Sequence, residues 1–218
     1  MIIVSIDFSI LFPGICISKD FKTFKWIGLV NTNVTKADRS NYAYINKKYP
    51  NISIIETVSR RETNQHYHLT ERSKLLNYLE LIKTIIQELK KEAIGQDIII
   101  SIEGISFGSS GNSLVDISQA TGMLKYQLFE LLNGEINKFF VFSPMTLKNA
   151  IGCKGNANKL EIFNKFKEDP IIPEAKTSDL FLLVNNEDFV IKKEKVISPI
   201  MDMVDSYLGI LKIYEQLK

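Results

Sequence analysis

The sequence predicts an α/β fold in which a mixed five-stranded sheet is flanked by helices. Two short runs rich in isoleucine and valine, residues 2–7 and 97–103, each end in a carboxylate, a pattern typical of buried strands. Three short strands joined by tight turns precede the first long helix, and apolar residues at three-four spacing mark the helices that follow. The predicted order is therefore three strands, a long connection, and then helices alternating with strands.

The first three predicted strands form an antiparallel meander. Residues 2–7 are apolar and mostly β-branched up to Asp7, and the Pro13-Gly14 turn introduces a second strand within 12–18. Apolar and polar residues alternate over 21–30, which predicts the third strand.

Residues 31–69 are a predicted insertion between the third strand and the first helix. The segment is polar, with a short strand expected at 52–58 and helical turns at 39–47. Connections of this length are unusual in a compact domain and generally form a lid or an insertion. Four tyrosines of the insertion are candidates for stacking on a nucleic-acid strand, namely Tyr42, Tyr44, Tyr49 and Tyr67.

The second half of the chain alternates predicted helices with predicted strands. In chain order these are a helix over 70–92 with Thr70 as its N-cap, a strand over 97–103, a Gly/Ser-rich loop over 104–113, a helix over 114–133, a strand over 139–142, a short helix over 144–152, a basic loop over 154–158, a helix over 159–166, an irregular stretch over 168–199 with short helices, and a closing helix over 202–217.

Length and composition predict one domain spanning residues 1–218, because 218 residues that are 45% hydrophobic suffice for a full core. The net charge of +2 gives no argument for a nucleic-acid partner, which would need a local basic face. No apolar run approaches about 18 residues, and the N-terminus lacks the pattern of a signal peptide. We therefore expect a cytoplasmic protein without a membrane partner. Cys16 and Cys153 lack zinc-site spacing and are expected to be buried or half-buried thiols.

Two carboxylates at strand ends are the first candidate site residues. Asp7 and Glu103 each finish a predicted buried strand, where a carboxylate is costly unless it is paired or bound to metal. Parallel neighbours in an α/β sheet present their carboxyl ends at one edge, so the two acids are expected side by side. A divalent cation with a preference for oxygen ligands, Mg²⁺ or Mn²⁺, would relieve their repulsion.

A second pair of acids begins the last predicted helix. Asp202 and Asp205 are three residues apart and therefore share one helix face. Acids at a helix N-terminus also suit the helix dipole, and a strand-end aspartate such as Asp7 can be satisfied by local hydrogen bonds, so structural roles remain open for each acid alone. Taken together, four converging carboxylates suit two Mg²⁺ ions, an arrangement that cleaves phosphodiesters.

Several segments in order resemble the RNase H-like (retroviral integrase) superfamily, and within it the RuvC-type Holliday junction resolvases. No single motif is specific, but their order and spacing are, and they cover most of the chain. The matching segments are IIVSIDFSILFPGICI, IIISIEGISF, SLVDISQATGMLKYQL, FSPMTLKNAIGCKGNANK and DMVDSYLGI.

The resemblance implies a metal-dependent endonuclease that resolves four-way DNA junctions in recombination and repair. Asp7, Glu103, Asp202 and Asp205 match the family's catalytic acids, which hold two Mg²⁺ ions for which Mn²⁺ is a substitute. Lys148 and Lys159 match its DNA-contacting lysines, and Phe107 matches an aromatic residue used at the junction, although it lies one residue further on. A homodimer is implied, because paired cuts need two sites related by a two-fold axis. The helix over 114–133 is a candidate for the dimer interface or for the core.

The basic loop and the departures from the family pattern leave alternatives open. Lys154, with Lys148 and Lys159, forms a basic cluster that suits phosphate binding or a solvated surface. Segments 31–69 and 167–199 are longer than in the family and resemble phage or viral elaborations. Alternative functions are an RNase H-like nuclease acting on flaps, single strands or RNA–DNA hybrids, and a non-catalytic DNA-binding module. An actin-like ATPase is disfavoured, because the segment after Asp7 lacks the Gly-rich phosphate loop.

Overall fold

A six-stranded mixed sheet forms the centre of the protein. The structure is a computed structural model and describes residues 1–57, 66–93, 95–105, 111–192 and 195–218. The strand order across the sheet is β4-β3-β2-β1-β5-β6, with β1 antiparallel to β2, β2 antiparallel to β3, and the remaining neighbours parallel. The strands are β1 (Ile2–Asp7), β2 (Gly14–Lys19), β3 (Thr23–Val30), β4 (Ile52–Glu56), β5 (Ile98–Glu103) and β6 (Phe139–Phe142).

Helices cover both faces of the sheet. They are α1 (Lys36–Lys48), α2 (Tyr67–Ala93), α3 (Asn112–Leu131), α4 (Pro144–Ala150), α5 (Lys159–Glu168), α6 (Asp179–Asn186) and α7 (Ile200–Leu217). Short 3₁₀ turns lie at Ile136–Lys138, Pro173–Thr177 and Asp188–Val190, and a small hairpin pairs β7 (Ile191–Lys192) with β8 (Lys195–Val196). Among the described helices, none is long and apolar enough to cross a membrane.

The two faces of the sheet carry separate cores because successive strand residues point to opposite sides. Along β1, Ile2, Val4 and Ile6 belong to the core that includes α2 and α3. The intervening Ile3 belongs to the core built with α1 and α4 to α7. By the same alternation Asp7 points to the α7 side of the sheet, which is the side on which Asp202 and Asp205 lie.

The sixth strand is where the structure departs from the five-stranded prediction. It is β4, which lies inside the predicted insertion 31–69 and pairs in parallel with β3. The short strand and the helical turns expected in this segment do form. The local sequence pattern does not predict that the strand joins the main sheet, because that depends on pairing with the distant strand β3. Asn46 of α1 covers the edge of β4: its Nδ2 donates to the Ile54 carbonyl at 2.9 Å, and its Oδ1 accepts from the Ile54 amide at 2.7 Å. This side chain blunts an edge that could otherwise pair with another chain.

Some helices begin at the predicted residue and others do not. Helix α2 begins at Tyr67, so the prediction of Thr70 as its N-cap is wrong. The turn forms earlier because the amides of Leu69 and Thr70 both donate to the His66 carbonyl. Helix α4 begins at Pro144, as predicted, and its N-cap is Ser143.

Helix α7 is the central helix of the structure. Twelve of its eighteen residues are buried, so it packs as a core element and not as a surface helix. Its Gly209 lies directly over the sheet: a Cβ there would stand 2.0 Å from Ser5 Oγ of β1 and 2.6 Å from Ser101 Oγ of β5. Small residues on both partners therefore let the helix approach the strands closely.

We predict that Gly209→Ala destabilises the protein by about 1–3 kcal/mol, because the added methyl overpacks a filled contact. Gly122→Ala in α3 is the matched control: it has open space around the new Cβ and should gain about 0.4–1 kcal/mol from reduced unfolded-state entropy. Urea denaturation of both variants measures the difference. Equal stability of the two variants would show that α7 does not need this close approach.

Candidate active site

Three elements bring the predicted acids to one edge of the sheet. Strands β1 and β5 are parallel neighbours and end at Asp7 and Glu103. The first turns of α7 carry Asp202 and Asp205 and lie over Gly14 of β2, the residue that pairs with Asp7. The carboxyl ends of parallel strands are the usual ligand edge of an α/β sheet, and the four acids meet there.

Three of the four acids form a tight cluster. One carboxylate oxygen from each of Asp7, Asp202 and Asp205 lies within 4.8 Å of the others. Glu103 lies outside that set but lines the same cavity as Asp7. Asp7, Glu103 and Asp205 border a cavity of about 340 Å³.

The acid cluster is electrostatically unfavourable without a cation. Burial, followed by the charges of Asp205, Glu103 and Asp202, raises the pKa of Asp7 well above its ordinary value. Burial also raises the pKa of Asp205 to about 6, although the nearby Lys159 charge opposes it. Burial raises the pKa of Glu103, although its interaction with Asp7 opposes the rise.

The side chain of Asp202 has a carboxylate oxygen without a hydrogen-bond partner among the described residues. The side chain is buried, and the unpartnered atom is its Oδ2. A buried carboxylate oxygen without a partner carries a desolvation penalty that a ligand can remove. The donor set of oxygens from Asp7, Asp202 and Asp205 therefore fits a hard divalent cation such as Mg²⁺ or Mn²⁺.

The three predicted lysines have different environments. Lys159 is the first residue of α5, which Asn158 caps, and its Nζ lies 3.1 Å from Asp205 Oδ2 and 3.5 Å from Asp202 Oδ1. Although burial lowers the pKa of Lys159, the neighbouring aspartates raise it overall. Lys148 also lines the cavity, and its Nζ donates to the Ala157 carbonyl at 2.7 Å. Lys154 is exposed and is not among the described residues that line the cavity.

The aromatic residues that were candidates for contacting nucleic acid differ in their positions. Phe107 lies outside the described residues. Tyr42 and Tyr49 are buried in the core, so the prediction that they stack on a nucleic-acid strand is wrong. Tyr44 and Tyr67 are exposed.

Some residues of the cavity wall were not predicted from the sequence. Phe8, Ile117, Thr121 and Leu208 line it beside the acids. Apolar wall residues follow the same periodic pattern as core residues, so only the folded arrangement separates the two. The thiols behave as predicted, with Cys16 buried and Cys153 half-buried.

Comparisons with known proteins bear on the fold. No protein-family model matches the sequence, and no curated protein matches it either. Among solved structures, RuvC from Thermus thermophilus matches over 99% of this chain and 96% of that chain, with a TM-score of 0.51 and 14% sequence identity. A T. thermophilus RuvC solved in complex with a Holliday junction substrate matches over the same shares, at 14% identity and a TM-score of 0.48.

The first of these structures carries the conclusion about the fold. Its similarity extends over nearly the whole of both chains, whereas the sequence identity is low. The α/β fold predicted from the sequence is thereby confirmed, and the chain has the RNase H-like fold of RuvC.

Proposed function

We propose that the protein is a divalent-metal-dependent endonuclease that cuts branched DNA and resolves four-way junctions. The observation that carries the proposal is the convergence of Asp7, Asp202 and Asp205, with Glu103 beside Asp7, on a RuvC-like fold. Buried and half-buried carboxylates at the ligand edge of such a sheet suit metal-assisted phosphodiester hydrolysis better than they suit a structural role, because their repulsion has no structural benefit.

The four acids would hold the metal, with the oxygens of Asp7, Asp202 and Asp205 as the nearest set. Bound Mg²⁺ or Mn²⁺, two ions in the full site, would supply an activated water and stabilise the leaving oxygen. Metal binding needs the ionised forms of Asp7 and Asp205, which their raised pKa values disfavour at low pH, and the unpartnered Asp202 Oδ2 is free to coordinate.

The lysines of the site would hold the DNA backbone. Lys148 and Lys159 line the same cavity as the acids, where they can contact the phosphates beside the scissile bond. Lys159 contacts Asp202 and Asp205 now, and a bound cation would release it toward phosphate. Lys154, exposed near the loop that follows α4, would contact DNA further from the cut. Phe107 remains a proposed junction contact by resemblance.

A homodimer is part of the proposal. Each chain has one set of four acids, which cuts one strand at a time, whereas resolution needs two symmetry-related cuts. Helix α3 was a candidate interface, but its Leu128, together with Leu132 beyond its end, is buried in the core of the chain. Any contact through α3 would therefore use its exposed side, where Val115 and Tyr126 lie.

We predict that added Mg²⁺ raises the melting temperature more at pH about 7.5 than at pH about 5. Asp7 and Asp205 have raised pKa values in the folded chain, so unfolding releases protons and metal-free stability falls as pH rises from the ordinary aspartate range through about 6. The cation should restore the stability lost in that window. Thermal melts with Mg²⁺ or EDTA measure the effect. Asp205→Asn should weaken both the pH dependence of metal-free stability and the pH dependence of the Mg²⁺ effect. An equal Mg²⁺ effect at the two pH values would argue against a carboxylate site.

We predict that Asp7→Asn loses cleavage while it retains junction binding. Substitution of outer residues around a metal generally costs 10–100-fold, so removal of a ligand should reduce cleavage by more than about 100-fold. The metal-free variant should also melt at a higher temperature than the wild type, because one buried like charge is removed. Cleavage is measured on four-way junction, flap, duplex, single-stranded and RNA–DNA hybrid substrates, with and without Mg²⁺.

The substrate panel also distinguishes the resolvase from its alternatives. A resolvase prefers the four-way junction and linearises a supercoiled cruciform plasmid by paired cuts. Preference for flaps, single strands or hybrids, with only nicked plasmid, would favour another RNase H-like nuclease. Wild-type cleavage by Asp7→Asn would place the active site elsewhere, and absence of cleavage on every substrate would favour a DNA-binding module.

We predict that Lys148→Ala and Lys159→Ala weaken DNA binding and reduce its salt dependence. Each lost phosphate contact should reduce the magnitude of the log–log salt slope by roughly 0.9 on duplex DNA. Lys19→Ala is the control, because Lys19 is exposed and pairs with Ile2 at the opposite edge of the sheet. Salt titrations of junction binding measure the slopes. Slopes equal to that of Lys19→Ala would indicate that neither lysine contacts DNA phosphates.

A further inference from the structure

Two glycines on neighbouring strands lie in register with Asp7 across the sheet. In the strand register Asp7 pairs with Gly14 of β2, and Gly14 pairs with Gly28 of β3. The first turn of α7 and the residues before it lie directly on these two glycines. Asp7 of the site is therefore in register with the two glycines that support α7, the helix that carries Asp202 and Asp205.

The contact at Gly14 is between two backbones. A Cβ at Gly14 would stand 1.9 Å from the Asp202 carbonyl oxygen and 2.6 Å from the Met203 amide nitrogen. No real Cβ occupies such a position, so any side chain at residue 14 would push the backbone of Asp202 away from β2. Because Asp202 itself is the displaced residue, the effect would pass directly to its carboxylate.

The contact at Gly28 is with a rigid ring. A Cβ there would stand 2.7 Å from Pro199 Cβ and 2.8 Å from its Cγ. Pro199 is the N-cap residue of α7, and its ring cannot rotate away as a flexible side chain could. A side chain at residue 28 would therefore raise the start of the helix.

Helix α1 holds the same turn from above the sheet. The buried Tyr42 donates its hydroxyl hydrogen to the Ser198 carbonyl at 3.1 Å, one residue before Pro199. An ion pair of 2.8 Å between Lys192 and Asp38 joins α1 to the segment leading into this turn. The start of α7 is thus held between the glycines of the sheet and a helix of the predicted insertion.

We propose that Gly14, Gly28 and Tyr42 are positioning residues of the metal site, which hold the first turn of α7 at the distance where Asp202 and Asp205 reach Asp7. The inference rests on the proposed function, because it concerns the same four acids. It also assigns a role to part of segment 31–69: α1 serves the metal site by bracing α7 through the buried Tyr42. Metal–ligand distances in proteins lie within about 0.2 Å of their usual values, so a rise of the turn that carries two ligands should weaken binding.

The test measures metal binding and folding stability separately in the full chain. Gly14→Ala, Gly28→Ala and Tyr42→Phe are compared with two controls, Gly122→Ala and Tyr44→Phe. Gly122 has open space around its missing Cβ, and Tyr44 loses a hydroxyl bonded to Glu187, away from the turn. Isothermal titration with Mn²⁺ gives the dissociation constant, and urea denaturation with EDTA gives the stability.

We expect Mn²⁺ affinity to fall by about tenfold or more in the three positioning variants, as for other residues that orient metal ligands, and to stay at the wild-type value in both controls. Lower stability with wild-type Mn²⁺ affinity in the three variants would overturn the inference, because that is the signature of a merely structural contact. If the two glycine variants do not fold, Tyr42→Phe against Tyr44→Phe decides the matter alone. Failure of the wild type to bind Mn²⁺ would instead overturn the proposed function.

Discussion

The close seating of α7 on the middle of the sheet is the constraint on which the rest of the structure depends. Gly209 lies against Ser5 and Ser101, and Gly14 lies against the backbone of Asp202, so the helix approaches the strands to contact distance along its length. A helix held further out by ordinary side chains would leave Asp202 in solvent. Here the approach carries the carboxylate into the protein beside Asp7, and the acid cluster follows from the packing.

The same seating concentrates unfavourable charge, and the core offsets it. Three acids share a space of a few ångströms with only Lys159 in direct ionic contact among the described residues. The opposing stabilisation comes from the large aromatic contacts of α7, where Tyr207 packs against Trp26 and Phe166. Burial of such side chains contributes about 1.5–3 kcal/mol each. A stable core thus tolerates a local conflict, and such conflicts are characteristic of functional sites.

The described parts of segments 31–69 and 167–199 pack against each other. Glu187, in the stretch before α7, accepts hydrogen bonds from the hydroxyls of Tyr44 and Tyr49 at 3.0 and 2.9 Å and from Lys48 Nζ at 2.6 Å. The backbone amide of Asn51 also donates to Asp179 at the start of α6. Tyrosines that would suit nucleic acid in an exposed loop are here used to join α1 to the later segment. The described parts of these segments therefore form a single support beside the sheet, with α7 as its neighbour.

The sequence by itself predicted the order of the main elements and the acids that would converge at one edge of the sheet. Asp7 and Glu103 close β-branched runs, and Asp202 and Asp205 share a helix face; both are local patterns that a single sequence carries. Tertiary structure alone decided that β4 joins the sheet, that Tyr42 and Tyr49 are buried, and that Gly14 and Gly28 support α7. These features arise from contacts between residues far apart in the chain. Periodicity records which face a residue presents, but not which distant element meets that face or how closely.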